Sequence, residues 1–258
     1  MPLFVETCVA RHAGDRHEQQ DRAAVFAHPS QRGAMMAVLA DGMGGHSGGA
    51  LAAEEVVLQA KRSFATYAPE RETPAQLLEG IIGEAHQSIR TARFATDQEP
   101  HSTAVALVLQ PNRISWIHCG DSRLYHFRDS RTVSRSQDHS LVAELQRRGR
   151  LDEAGARFHP RRHVLLSCLG SEHPPQTELG AAVRPTAGDC FLLCSDGLWA
   201  HFPDEELAQT VASLPARAAA EKLVNSARKR AAGAGDNISL VIIRLNDAET
   251  AGAARTLS

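Results

Sequence analysis

Four times along this 258-residue sequence an apolar run meets an aspartate flanked by glycine or asparagine. Asp41-Gly42 follows MMAVLA, Gly120-Asp121 follows ISWIHC, Asp196-Gly197 follows CFLLCS, and Gly235-Asp236-Asn237 precedes ISLVII. A fifth, Asp21, stands ahead of AAVF. Aspartate and glycine also favour ordinary turns, so each occurrence alone reads equally well as a turn. Together they predict a shared place: if the apolar runs are strands of one or two packed sheets, their ends bring the carboxylates together. Carboxylates within a few Å repel unless protonated or neutralised by cations. Oxygen-only donors suit Mg²⁺ or Mn²⁺, which bind through few carboxylates and keep several waters. Two such ions activate water and stabilise the oxygens of an in-line displacement at phosphorus. Arg16, shortly before Asp21, offers a planar fork suited to a phosphoryl group, although an arginine so near the N-terminus alone reads as a surface residue.

The elements that position these residues follow from periodicity. Strands are predicted over 5–10, 23–28 and 35–40, the last running into DGMGGHSGG. A helix of amphipathic spacing covers 49–64. A second starts with Thr73 as cap, Pro74 at the first helical position and Gln76 three residues after the cap. Over 103–109, 113–118, 123–127 and 132–134 the period changes to that of an antiparallel meander. A helix over 139–148 leads into an exposed excursion over 149–163. Strands at 164–168 and 189–194, helices at 204–211 and 216–231, and a closing strand at 238–245 complete the pattern. Helices and strands come in blocks, which predicts an α+β layered fold rather than a doubly wound sheet. No Pro-, Gly- or Ser-rich linker divides it, so one domain over 1–246 is expected, with a short tail over 247–258.

Composition narrows the functional classes. Lys+Arg 28 against Asp+Glu 30 gives a formal charge of -2, without the basic excess of a dedicated nucleic-acid binder, and 5% aromatics leave little for a base-stacking platform. The five cysteines are odd in number and widely spread, unlike a disulfide framework, which favours the cytoplasm. No apolar run approaches the roughly 20 residues of a membrane span, and the first residues lack the order of a signal peptide.

Seven stretches carry a specific likeness: GDRHEQQD at 14–21, ADGMGGHSGG at 40–49, HSTA at 101–104, CGDSRLY at 119–125, DHSLV at 138–142, LCSDGLW at 193–199 and GDNIS at 235–239. In order and spacing the sequence resembles the metal-dependent Ser/Thr protein phosphatases of the PPM family, also called PP2C, especially its compact bacterial members, from about Glu6 to Leu245. The resemblance implies a four-layer αββα sandwich, two central antiparallel β-sheets flanked by helices, with two bridged Mn²⁺ or Mg²⁺ ions at one end. It implies that Asp41 bridges both ions, that the Gly42 carbonyl helps hold one, and that Asp196 and Asp236 hold the other. Asp21 would support the cluster, and Asp121 would join Asp196 around a third ion. Arg16 would grip the substrate phosphate while a metal-bridging hydroxide attacks phosphorus in line. Substrates would be phosphorylated proteins, products of a bacterial Ser/Thr kinase, with the enzyme acting as a monomer and touching neither nucleic acid nor membrane.

One departure stands out. The family's first motif ends Asn-Glu-Asp, whereas this sequence has Gln19-Gln20-Asp21, so an amide replaces a negative charge beside the metals. That substitution motivates the alternative of a poorly active relative serving as a phosphoprotein-binding module. DGMGGHSGG lacks the Lys-Ser/Thr ending of a nucleotide-binding P-loop and the GxGxxG spacing. His46 is either a direct contributor to the centre or part of a turn, His139 reads as a cap or packing residue, and Asn237 as a supporting residue. Cys190 and Cys194 share a strand face and are not a CxxC pair. Arg147, Arg148, Arg150, Arg157, Arg161 and Arg162 form either a solvated loop or a flap attracting acidic substrate segments.

Overall fold

The structure, a computed structural model, describes residues 3–45, 48–93, 99–180 and 184–247, with the backbone only at Ala154 and Arg157. Its strands are β1 (Leu3–His12), β2 (Arg22–Ala27), β3 (Met35–Ala40), β4 (Gly42–Met43), β5 (His101–Ser102), β6 (Ala104–Gln110), β7 (Arg113–Cys119), β8 (Arg123–Arg128), β9 (Arg131–Arg135), β10 (Glu178–Leu179), β11 (Cys190–Cys194) and β12 (Ile238–Asp247). Its helices are α1 (Gly48–Thr66), α2 (Pro74–Arg93), α3 (Leu141–Arg147), α4 (Glu153–Phe158), α5 (Asp196–Trp199), α6 (Asp204–Ser213) and α7 (Ala216–Ala231). Two five-stranded antiparallel sheets form, in the orders β1-β12-β11-β8-β9 and β10-β7-β6-β3-β2, with β4 and β5 pairing separately.

Three apolar layers define the sandwich. Along β3, Met36, Val38 and Ala40 pack with Val56 and Phe64 of α1 and Ile81 and Ile89 of α2, while Ala37 and Leu39 pack between the sheets. Along β12, Leu240 and Ile242 meet Leu207 of α6 and Leu223 of α7, while Val241 and Ile243 join the inter-sheet layer. Each central strand is therefore buried on both faces. That is why MMAVLA, CFLLC and ISLVII are continuous apolar runs instead of alternating ones. β11 shows the alternation within such a run: Cys190, Leu192 and Cys194 face the helices, and Phe191 and Leu193 the opposite sheet. The helix–sheet–sheet–helix order is the expected αββα sandwich. Among the described residues no helix is long and apolar enough to cross a membrane.

The predicted capping of α2 forms as a reciprocal pair, with the Gln76 N–H donating to Thr73 Oγ1 at 3.2 Å and the Thr73 N–H donating to Gln76 Oε1 at 2.8 Å. Other expectations need correcting. The segments expected as one meander divide between the sheets: β6 and β7 pair in one, β8 and β9 in the other. The chain crosses over at Gly120–Ser122, where Gly120 has φ of +102°. A period-two pattern reports a strand but not its sheet. Residues 164–168 are not a strand: one isolated bridge falls within them, Ser140 to Leu165, and another just after, Ser102 to Leu169. α3 starts at Leu141 rather than 139, because the His139 N–H is engaged by Gly120 O at 2.8 Å and Ser140 supplies the cap. The 149–163 excursion contains the short helix α4, capped by Asp152. Of the expected tail, all but Asp247 lies outside the described residues.

Gly80 and Gly83 lie on the exposed face of α2, and a Cβ there would meet nothing within 4 Å. Gly14 differs: its φ is +65°, and a Cβ would stand 2.0 Å from Asp236 O. Gly80→Ala and Gly83→Ala should each stabilise the fold by about 0.5–1 kcal/mol, whereas Gly14→Ala should lower the urea midpoint.

Candidate active site

The ends of β3, β7 and β11 and the start of β12 open on one cleft of about 550 Å³, lined by Arg16, Gln20, Asp41, Gly42, Asp121, His163, Asp196, Asp236 and neighbours. Asp41 leaves β3 directly. Its N–H donates to Thr103 Oγ1 at 3.0 Å, and its carbonyl accepts from the Thr103 N–H at 2.9 Å and Ser102 Oγ at 3.1 Å. Gly42 follows, pressed so closely to α1 that a Cβ would lie 1.9 Å from Gly49 O. Asp196 opens α5, and Gly197 touches the start of β12, where a Cβ would stand 2.1 Å from Asn237 O. Asp121 stands at the crossing between the sheets, its carbonyl accepting from Trp199 Nε1 at 2.9 Å. Trp199 is in turn covered by the Arg123 guanidinium, 3.5 Å above its ring and bidentate to Asp138 at 2.8 Å for each bond.

Asp21 lies beneath the cleft, fully buried. Ser195 Oγ donates to its Oδ2 at 2.8 Å, while Oδ1 has no hydrogen-bond partner. Arg16 rides on the 13–20 loop, which is bolted to 235–237. Asn237 Nδ2 donates to Ala13 O and Glu18 O at 2.9 Å each, and its Oδ1 accepts from the Gln20 N–H at 2.7 Å. Asp15 Oδ2 accepts from the Gly235 N–H at 2.7 Å. This anchorage sets Arg16 Nη2 2.7 Å from Asp236 Oδ2. Asn237 thus acts on Arg16 through the loop, and Asp15, which sequence reasoning passed over, shares the task. The only sign of it was the polar run around Arg16.

Other candidates fall differently. His46 lies outside the described residues, as does the Arg157 side chain. Arg147 and Arg148 are paired with Glu144, and neither they nor Arg150, Arg161 and Arg162 are among the cleft's lining residues. From that region it is His163, with Nδ1 3.9 Å from Asp196 Oδ2, and Leu165 that reach the cleft. His139 holds the Gly120 corner at two points, its Nδ1 accepting from the Gly120 N–H at 3.2 Å, and stacks on His118.

The Protein phosphatase 2C family model matches residues 10–232. The chain belongs to that family. It is 30% identical over 245 residues to the serine/threonine phosphatase stp of Listeria innocua, covering 90% of this chain and 92% of that protein. It is 29% identical to Mycobacterium tuberculosis PstP, a serine/threonine protein phosphatase, over 93% of this chain but only 46% of that longer protein. Among solved structures, the S. agalactiae serine/threonine phosphatase superposes with a TM-score of 0.83 at 26% identity, over 93% of this chain and 99% of the other. The PstP catalytic domain, solved with two manganese ions, superposes at 0.80 and 24% identity over 95% and 100%.

The residues of this protein phosphatase 2C member fit divalent cations. The cleft presents the carboxylate oxygens of Asp41, Asp121, Asp196 and Asp236, and Asp21 Oδ1 is buried without a partner. Among the described residues no three Asp, Glu, His or Cys groups close a coordination sphere by themselves, so each ion would complete its shell with water, and one of them with the Gly42 carbonyl. Electrostatics point the same way. Burial, then the charges of Asp21, Asp196, Asp121 and Asp236, hold the Asp41 carboxyl well above the usual range. Burial, then Asp121, Asp236 and Asp21, do the same to Asp196. Burial pushes Asp21 up to about 6, and burial with Asp138 pushes Asp121 up to about 7.

A carboxyl raised on folding contributes most stability below its unfolded value and loses it as pH rises through the folded one. For Asp121 that window runs from 3.8 to about 7. In metal-free protein, Asp121→Asn should therefore gain thermal stability over the wild type progressively across this window, by several degrees at its upper end. Saturating Mn²⁺ should shrink or reverse the gain, because it restores the ionised carboxylate's advantage.

Proposed function

We propose that this chain is a metal-dependent protein serine/threonine phosphatase that removes phosphate from phosphoserine and phosphothreonine in proteins. The observation that carries the reading is the meeting of Asp41, Asp121, Asp196 and Asp236 with Arg16 on one cleft. Four carboxylates are a poor site for a phosphate dianion without cations, and one arginine does not offset them. When bound, two divalent ions lower the pKa of water and offset the charge of the ester. Asp41, Asp196 and Asp236, with the Gly42 carbonyl, would hold those ions, and Asp121 with Asp196 would hold a third.

Arg16 binds the phosphate. Its guanidinium is exposed, 63% of the side chain's surface remaining open, and reaches Asp236 through Nη2, so its remaining donors face solvent. Asn237 and Asp15 hold the loop that aims it. His163, at the rim beside Asp196, limits how a substrate segment enters. Its pKa is lowered by burial and by Arg162. Phe158 stands exposed in the same excursion as Arg150, Arg161 and Arg162, and Val164 and Leu166 just after it, which supports a surface reading peptide rather than a small metabolite.

The cysteines Cys8, Cys119, Cys168, Cys190 and Cys194 are all free thiols, which supports a cytoplasmic setting opposite a bacterial Ser/Thr kinase.

Hydrolysis of p-nitrophenyl phosphate and of a phosphothreonine peptide should require Mn²⁺ or Mg²⁺ and stop with chelator; turnover in metal-free protein would contradict the reading. Asp41→Asn and Asp196→Asn should abolish turnover while leaving the fold intact by circular dichroism. Arg16→Ala should raise KM for the peptide roughly 10- to 100-fold, the worth of one charge-assisted contact. Gln20→Glu should lower the Mn²⁺ concentration for half-maximal rate; a folded, Mn²⁺-loaded wild type that binds phosphopeptide without turnover would favour the binding-module alternative.

A further inference from the structure

We infer that Thr103, a buried residue outside the cleft, is a positioning residue that sets Asp41 and Asp121 at their working separation. The inference rests on the metal-dependent reading above. Asp41 arrives from the end of β3, Asp121 from the crossing between β7 and β8, and no hydrogen bond joins them directly among the described residues. Thr103 stands between the two segments, 1% exposed, in the single residue that separates β5 from β6.

Every part of the residue is used. Its N–H donates to Asp41 O at 2.9 Å, and its Oγ1 accepts from the Asp41 N–H at 3.0 Å, so the backbone of Asp41 is gripped at both polar groups. The same Oγ1 is 2.7 Å from Ser122 Oγ, the hydroxyl of the residue following Asp121 and itself fully buried. Its Cγ2 and Cβ lie 2.6 and 2.8 Å from where a Gly120 side chain would begin, filling the space that the glycine ahead of Asp121 leaves. Asp121 is thereby flanked by two residues that Thr103 touches, one through its methyl and one through its hydroxyl. Serine retains the hydroxyl without the methyl, and valine the shape without the hydroxyl. Valine also leaves the Asp41 N–H without its acceptor in a buried setting.

Groups that hold ligands in place without touching the ion are typically worth 10- to 100-fold in metal affinity. Calorimetric titration of metal-free protein with Mn²⁺ reads this without any turnover. Thr103→Val should weaken Mn²⁺ binding roughly 10- to 100-fold, and Thr103→Ser should stay near the wild type, although it loses methyl packing and so some thermal stability. Ser122→Ala should lose the same part of the isotherm as Asp121→Asn, and the double variant should lose no more than Asp121→Asn alone. A folded Thr103→Val with the wild-type isotherm, or a Thr103→Ser as weak as Thr103→Val, would overturn the role of Thr103. Should Thr103→Val fail to fold, an unchanged isotherm in Ser122→Ala would overturn it instead. A wild type that binds no Mn²⁺ would overturn the metal-dependent reading itself, which separates the two failures.

Discussion

Like-charge crowding is the constraint on which the rest of this molecule turns. Asp21, Asp41, Asp121 and Asp196 are all held above the usual carboxylate range, with burial the first cause at each and neighbouring carboxylates adding to it. Left to itself such a cluster opposes folding, because ionising each group in the folded chain costs free energy that the unfolded chain does not spend. The polar partners nearest these carboxyls are mostly neutral: the Ser195 hydroxyl on Asp21 and the Asn237 N–H on Asp236. Arg123, close enough to Asp121 to matter, is committed to Asp138. Among the described residues Arg16 is the arginine that meets a cleft carboxylate directly, at Asp236.

Holding the carboxylates against their repulsion requires a stiff frame, and the double sandwich supplies it. Its central strands are buried on both faces, so a shift of β3, β11 or β12 along its neighbours would turn two packed layers out of register at once. Glycines at the strand ends let the chains approach where side chains would collide. Gly42 against Gly49 and Gly197 against Asn237 are contacts of this kind. Arg16 is instead carried on a loop, and there hydrogen bonds from Asn237 and Asp15 replace packing as the source of order. The structure thus puts the clustered carboxylates on rigid strand ends and Arg16 on a tethered loop.

Much of this is legible in the sequence, for a physical reason. Buried strands leave long apolar runs, and the aspartates at their ends stand out against them, so Asp41, Asp121, Asp196 and Asp236 are conspicuous from residue order alone. The resemblance of the seven motifs then implies the layered order. What escapes depends on contacts between distant segments. Division of 103–134 between two sheets turns on the backbone of Gly120, which periodicity does not register. The apparent strand at 164–168 has the right residues but lacks a neighbour to pair with along its length. Thr103 is visible only as a letter in HSTA, because its three partners lie 62, 19 and 17 positions away in Asp41, Ser122 and Gly120. The arginines of the 147–162 region draw notice by their number, yet it is His163 and Leu165 at its edge that line the cleft.

The central claim is that the fold assembles these carboxylates to hold divalent cations. Its most direct test is anomalous diffraction at the manganese edge from crystals of the chain grown with Mn²⁺. The account predicts two strong peaks in the cleft, both beside Asp41, one also reached by the Gly42 carbonyl and the other by Asp196 and Asp236. A cleft without manganese at saturating Mn²⁺, with Arg16 still paired to Asp236, would contradict it.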